Sequence, residues 1–219
     1  MTNPAAILWD MDGTLVDTEP YWIEAEIELM RAHGLDWTKE QGLQFVGNDL
    51  LTSAGILRAA GLDLAPETIV ETLLEKVIER VRVAVPFRPG ALEFLAAARA
   101  EGIPCLLVTA SYRSLAEAVV ASCPAGSFDG IVAGDEVSAG KPAPEPYLKA
   151  AAMLGLDPGD CVAFEDSVPG LTSAEAAGTI AVGIPHLVEL EPIPGRHLWP
   201  SLAGRTIADL RGLRSRLSV

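Results

Sequence analysis

The first chemistry this sequence offers lies at the ends of its short apolar runs. Ala5 to Trp9 ends in Asp10-Met11-Asp12-Gly13, as a buried strand feeding a glycine turn reads. Ile103 to Thr109 is followed by Ala110 and Ser111, and Cys161 to Glu165 by Asp166. After the run Gly130 to Gly134, Lys141 stands in the stiff loop Gly140-Lys141-Pro142-Ala143-Pro144. If these runs are parallel strands, their C-termini open onto one edge and all these side chains converge on one crevice. Like-charged carboxylates there repel by about 4 kcal/mol per pair at 4 Å and an effective dielectric of 20, so Asp10, Asp12, Glu165 and Asp166 need positive charge among them. An all-oxygen set with no cysteine or histidine suits a hard divalent cation, and Mg2+ keeps water and substrate phosphate in its shell. Magnesium beside a lysine is an arrangement for phosphoryl transfer.

Each residue then has a chemical role. Asp10 can attack a phosphoryl group, and Asp12, two residues on, can protonate the leaving alcohol and later deprotonate water. Acid work at neutral pH needs a raised pKa, which crowding by like charges favours. The Thr109 hydroxyl and the backbone N–H groups of Ala110 and Ser111 can hold phosphoryl oxygens, with Lys141 supplying a permanent charge. Taken singly, each motif has a plainer reading: a turn, a strand-end hydroxyl, a surface lysine, a helix N-cap. Taken together and in order, they supply nucleophile, phosphate donor, cation and metal carboxylate, which turn chemistry alone has no reason to produce.

The elements that must position them follow from periodicity. The strand-like runs, with a further one at Thr179–Gly183, alternate with helical stretches at Gly90–Glu101, Ser114–Ser122, Pro146–Leu154 and Val168–Ala177. That alternation predicts an α/β fold, a parallel sheet covered by helices on both faces. Residues 19–85 differ in texture and read as an all-helical insertion of about four helices, broken at Gly34, at Gly47-Asn48 and from Gly61 to Pro66. Residues 1–18 and 86–219 then form the core, with Glu19-Pro20 and Pro86 to Gly90 as hinges. The proline-rich tail after Pro185, with a helix-like stretch around Ile207 to Leu217, is assigned to packing.

Composition sets outer limits. A formal net charge of −14 over 219 residues, with no basic run, excludes nucleic acid and anionic membrane as partners and leaves a small-molecule phosphate ester. Cys105, Cys123 and Cys161 form no CxxC pair and read as reduced, structural residues. Asp10 and Asp12 interrupt the first apolar segment, so neither a signal peptide nor a membrane span is expected, and a cytoplasmic monomer is the default. His33, His186 and His197 show no metal spacing and no obvious partner.

The stretches Asp10-Met11-Asp12-Gly13-Thr14-Leu15-Val16-Asp17, Val108-Thr109-Ala110-Ser111, Gly140-Lys141-Pro142 and Phe164-Glu165-Asp166-Ser167 resemble the four motifs of the haloacid dehalogenase superfamily. The helical insertion resembles the cap of its β-phosphoglucomutase-like branch, a lid over a Rossmann-like three-layer core. The resemblance implies a phosphoaspartate at Asp10, acid/base work by Asp12, and magnesium held by the Asp10 side chain, the Asp12 backbone carbonyl and Asp166, with Glu165 beside them. Asp12 counts against carbon–halogen hydrolysis, because the superfamily's dehalogenases lack that second aspartate. Where the branch's mutases carry a histidine in the first cap helix, this sequence has Trp22, and Asp17-Thr18-Glu19-Pro20-Tyr21-Trp22 resembles its sugar- and polyol-phosphate phosphatases. A magnesium-dependent phosphatase is the expectation, with a phosphosugar mutase and a non-enzymatic phospho-accepting regulator as the alternatives. Asn48 is the candidate for reading a substrate hydroxyl, while Lys76 and Arg80, one turn apart, are left between substrate contact and ordinary ion pairing.

Overall fold

Apolar runs of four or five residues are too short for helices and carry side chains on both faces, so they find their hydrogen bonds in a sheet with cover on each side. The structure, a computed structural model, describes residues 3–45, 48–194 and 196–213. Its strands are β1 (Ala6–Trp9), β2 (Cys105–Val108), β3 (Gly130–Val132), β4 (Cys161–Glu165), β5 (Ile180–Gly183) and β6 (His197–Leu198). They form one parallel sheet in the order β3-β2-β1-β4-β5-β6. The chain therefore reverses its direction of growth between β1 and β4, the switch point at which open parallel sheets bind ligands.

Between β1 and β2 the chain forms α1 (Glu19–Ala32), α2 (Lys39–Gly42), α3 (Leu50–Ala59) and α4 (Pro66–Val83). Thr38 and Asp49 cap α2 and α3 with their side chains, and Pro66 opens α4 where its missing N–H costs nothing. Gly47, part of a sequence break, lies outside the described residues. The covering helices are α5 (Ala91–Ala100), α6 (Arg113–Val120), α7 (Glu145–Leu154) and α8 (Val168–Ala176). Alternate strand residues divide the core. Ile7, Trp9, Leu107 and Phe164 pack with Phe94 and Leu115 of α5 and α6, while Leu8, Leu106 and Ala163 pack with Tyr147 and Leu171 of α7 and α8. The first of these clusters continues without a break into Trp22, Leu29, Leu57 and Leu73 of the helical insertion.

Two details differ from the sequence reading. The tail adds β6: the Trp199 N–H donates to the Gly183 carbonyl at 2.8 Å, using the edge that β5 would otherwise leave open. The helix-like stretch at Ile207 is a single 3-10 turn, Ile207–Leu210, that buries Ile207 and Leu210, and the positions beyond 213 lie outside the described residues.

Candidate active site

Asp10 is fixed by the sheet. Its N–H continues the β1–β4 ladder, donating to the Phe164 carbonyl at 3.0 Å, which sets it beside Glu165 and Asp166. Below these strand ends Trp9 meets Phe164 edge-on at 4.9 Å, and Phe164 meets Phe94 at 5.3 Å and Trp199 at 5.7 Å, so the carboxylates stand on a packed aromatic floor. Gly13 makes the turn that follows with φ +86, and a Cβ there would lie 1.9 Å from Asp166 Oδ2. Only glycine satisfies both demands.

Lys141 reaches this edge from its loop. Its ammonium lies 2.6 Å from Asp10 Oδ1 and 2.6 Å from Glu165 Oε1, and donates to the Val108 carbonyl at 2.9 Å. Burial alone would lower its pKa, but the charges of Asp10 and Glu165 outweigh that and hold it above the ordinary lysine value. Glu165 is wholly buried and accepts from the Tyr147 hydroxyl at 2.6 Å as well. Burial and the Glu165 charge keep that phenol protonated, and therefore a donor. A Cβ on Gly170 would collide with the Glu165 carboxylate, so the first turn of α8 presses against it.

Asp12 is held differently, by hydroxyls. Ser111 Oγ donates to its Oδ2 at 2.8 Å, Thr109 Oγ1 more weakly at 3.3 Å, and the Thr18 hydroxyl donates to Oδ1. Burial is the largest influence and raises the Asp12 pKa; Asp10 adds to it, while Thr18, Ser111 and the Trp22 indole N–H pull the other way. The net shift is upward, as acid work requires. Thr109 is buried behind Ser111, and its hydroxyl oxygen accepts the Ser111 N–H at 2.9 Å, so that N–H already has a partner inside the loop.

The cavity above is lined by Asp10, Asp12, Ala110, Ser111, Lys141 and Asp166 on the sheet side and by residues of the helical insertion, including Trp22 and Asn48, on the other. Asn48 Nδ2 sits 3.4 Å from the Gln44 carbonyl. Lys76 and Arg80 are elsewhere. They bond Glu28 at 2.8 and 2.7 Å across to α1, and Arg80 also approaches Glu24 at 3.4 Å, so these ion pairs are made between helices and not with neighbours on α4. The histidines correct the sequence reading too. His186 bridges Asp17, at 2.9 Å from Nε2, and Arg88, at 2.5 Å from Nδ1, where the chain enters and leaves the helical insertion, and His33 Nδ1 lies 2.9 Å from the Leu29 carbonyl. These partners are remote in sequence or on the backbone, so spacing cannot reveal them. The three cysteines are buried and unbridged, and burial raises the pKa of each.

Against known proteins, the sequence model of the haloacid dehalogenase-like hydrolases matches residues 4–178. The chain belongs to that family. Hexitol phosphatase B of Escherichia coli (strain K12) is 32% identical over 195 residues, covering 84% of this chain and 86% of that protein. Protein CbbY of Rhodobacter capsulatus is 38% identical over 196 residues, covering 82% of this chain and 85% of that one. Among solved structures, an Asp-to-Asn variant of CbbY from Rhodobacter sphaeroides in complex with xylulose-(1,5)bisphosphate matches with a TM-score of 0.83 at 29% identity, over 92% of this chain and 96% of that one.

The donor set of this hydrolase fits a divalent cation. Oxygens of Asp10, Glu165 and Asp166 lie within 4.8 Å of one another, and the buried Asp10 Oδ2 has no hydrogen-bond partner among the described residues. Burial, then Asp10 and Glu165, push the Asp166 pKa well up, the signature of a carboxylate short of positive charge. Lys141 alone balances one of these charges. Glu165 already meets Lys141, Tyr147 and, at 3.4 Å, Ser167, which leaves Asp10 and Asp166 as the less committed pair.

Proposed function

We propose that this hydrolase is a magnesium-dependent phosphatase that cleaves a small sugar or polyol monophosphate through a phosphoaspartate on Asp10. The geometry at the end of β1 supports this most: Asp10 lies 2.6 Å from a lysine ammonium, and Asp12, two residues on, is held by hydroxyl donors with its pKa raised by burial. The names of the relatives, hexitol phosphatase B foremost, point to the same substrate class.

In the first step an Asp10 carboxylate oxygen forms a bond to phosphorus and the ester P–O bond breaks. Asp12 gives its proton to the departing alcohol oxygen. In the second step a water oxygen bonds to phosphorus, the Asp10 O–P bond breaks, and the ionised Asp12 takes the water proton, restoring both side chains. Lys141 neutralises Asp10 and the phosphoryl oxygens, the Ala110 N–H on the cavity wall orients them, and the Ser111 and Thr109 hydroxyls serve Asp12. Asp10, Asp166 and the Asp12 backbone carbonyl would hold the cation, which when bound would supply Lewis-acid withdrawal of charge from the phosphoryl group. Residues 19–85 act as a cap that excludes bulk water while the phosphoenzyme forms, with Asn48 reading a hydroxyl of the alcohol. The enzyme works as a cytoplasmic monomer.

Trp22 favours hydrolysis over mutase chemistry. Its indole offers a hydrogen-bond donor to Asp12 and has no site to take up a proton, so it cannot replace a proton-carrying histidine there. The test is phosphate release from a panel of sugar, polyol and nucleotide monophosphates with magnesium, beside Asp10→Asn. Release that disappears in Asp10→Asn and in chelator is the expected result. Isomerisation of a hexose 1-phosphate without release would make the chain a mutase, and a stable phosphoprotein that never turns over would make it a regulator.

A further inference from the structure

Which esters fit is written on one face of α1. Glu19, Trp22 and Glu26 follow one another at spacings of three and four, so they share a face that extends about 10 Å along the helix axis, and all of them line the cavity. Glu19 stands at the end nearest Asp12, and Glu26 lies at the far end. Glu26 is only 3% exposed, and its Oε2 accepts the Trp37 indole N–H at 3.2 Å. A Cβ on Gly42 would come within 2.9 Å of the same oxygen, so the carboxyl group is held in place and not free to swing away. Around it the wall is apolar, with Phe45, Val70 and Leu73.

Positive charge is what this end of the cavity lacks. Among the described residues Lys141 is the sole lysine or arginine on the lining, and its ammonium is already engaged by Asp10 and Glu165. Val46 and Gly47, next to the lining residues Phe45 and Asn48, bring no charge. Lys76 and Arg80 are bound to Glu28 and Glu24, on a different face of α1. A second phosphoryl group carried to this end would lose its hydration against carboxyl groups and hydrocarbon, with no cation to replace the lost water. A hydroxyl-bearing carbon chain would instead find oxygen partners on Glu19 and Glu26 and flat apolar surface on Trp22 and Phe45.

We infer that the site accepts phosphate monoesters whose alcohol portion carries no second phosphate, because the far wall built by Glu26, Phe45, Val70 and Leu73 offers such a group no cation. The inference rests on the phosphatase reading for the position of the scissile phosphate. It gives that face of α1 a discriminating role: affinity for the correct ester through hydroxyl contacts with carboxyl groups that burial keeps protonated, and uncompensated loss of phosphate hydration against the wrong one.

The experiment compares kcat/KM for a hexitol 6-phosphate and for fructose 1,6-bisphosphate, with p-nitrophenyl phosphate as a generic ester, in the full chain and in Glu26→Lys and Leu73→Lys, each of which brings the missing cation to that end of the cavity. The parent is expected to prefer the monophosphate by at least about 100-fold, carried mainly by KM, and each variant to narrow that ratio by about 10-fold. Parity between the two esters in the parent, or a ratio unmoved in both variants, overturns the inference while release from p-nitrophenyl phosphate leaves the phosphatase reading standing. Absence of release from every ester sinks the phosphatase reading. Selectivity is then decided by calorimetric binding of the same esters to the Asp10→Asn protein with magnesium. Preference for the monophosphate supports the inference, and equal or tighter binding of the bisphosphate overturns it.

Discussion

The Lys141 ammonium stands 2.6 Å from Asp10, and the same nitrogen is 2.6 Å from Glu165, a residue with no exposed surface. One cation thus joins Asp10, the proposed nucleophile, to a carboxylate that no substrate can reach. Glu165 positions the lysine, and Tyr147 in turn fixes Glu165.

Removing the cation should expose that dependence. Lys141→Met leaves two buried carboxylates facing each other, and loss of one partner from a buried pair costs on the order of 3–5 kcal/mol. Lys141→Met is expected to melt well below the parent and to lose at least 100-fold in kcat, about 2.7 kcal/mol in the barrier. Adding Glu165→Gln should restore much of the melting temperature and none of the activity. Recovery of both together would show that the lysine's role is structural only.

Gly13 offers a test of the metal assignment that does not need turnover. Gly13→Ala forces a side chain into φ +86 and against Asp166 Oδ2, at a cost of about 1–3 kcal/mol. The parent is expected to gain melting temperature on adding magnesium, since an ion that binds the folded chain stabilises it by mass action. Gly13→Ala should start lower and show little further gain. An undiminished magnesium shift would separate Gly13 from the cation site.

Glu26 gives a pH prediction with a definite sign. Burial raises its pKa from about 4.5 to about 8, with the Trp37 bond opposing. Between those values the folded chain holds a proton that the unfolded chain has released, so stability falls as pH rises through the window and levels off above it. Glu26→Gln should flatten that slope and make the protein more stable than the parent at pH 8, by an amount on the order of a few kcal/mol. Chemical denaturation at pH 5, 6.5 and 8 measures it, and parallel profiles for the two proteins would contradict it.

Much of this site is legible in the sequence because each group ends an apolar run, and a parallel sheet brings run ends together whatever the loops do. Asp10, Asp12, Thr109 and Asp166 are readable on those terms, and Lys141 from its proline-bounded loop. The partners that tune them are not. Tyr147 sits inside the apolar pattern of α7, where an aromatic ring reads as core, and only the folded chain turns its hydroxyl to Glu165. Glu26 has the composition of a solvated helix face, and becomes a buried carboxyl because α2 and Trp37 close over it. β6 has two residues, too few for any period to register, and exists because β5 had an unpaired edge.

The two crossings that lead into and out of the helical insertion also touch each other. Val16 bridges Phe87, and the Asp17 N–H donates to the Pro86 carbonyl at 2.8 Å. For the sheet, the long detour between β1 and β2 is short-circuited at that point. Once the stem is zipped, β1 and β2 meet as neighbours across a short effective loop, and the entropy of closing the insertion no longer falls on their pairing. A change of length or sequence among the four helices is then absorbed above the stem, and the register that aligns Trp9 with Leu107 is insulated from it.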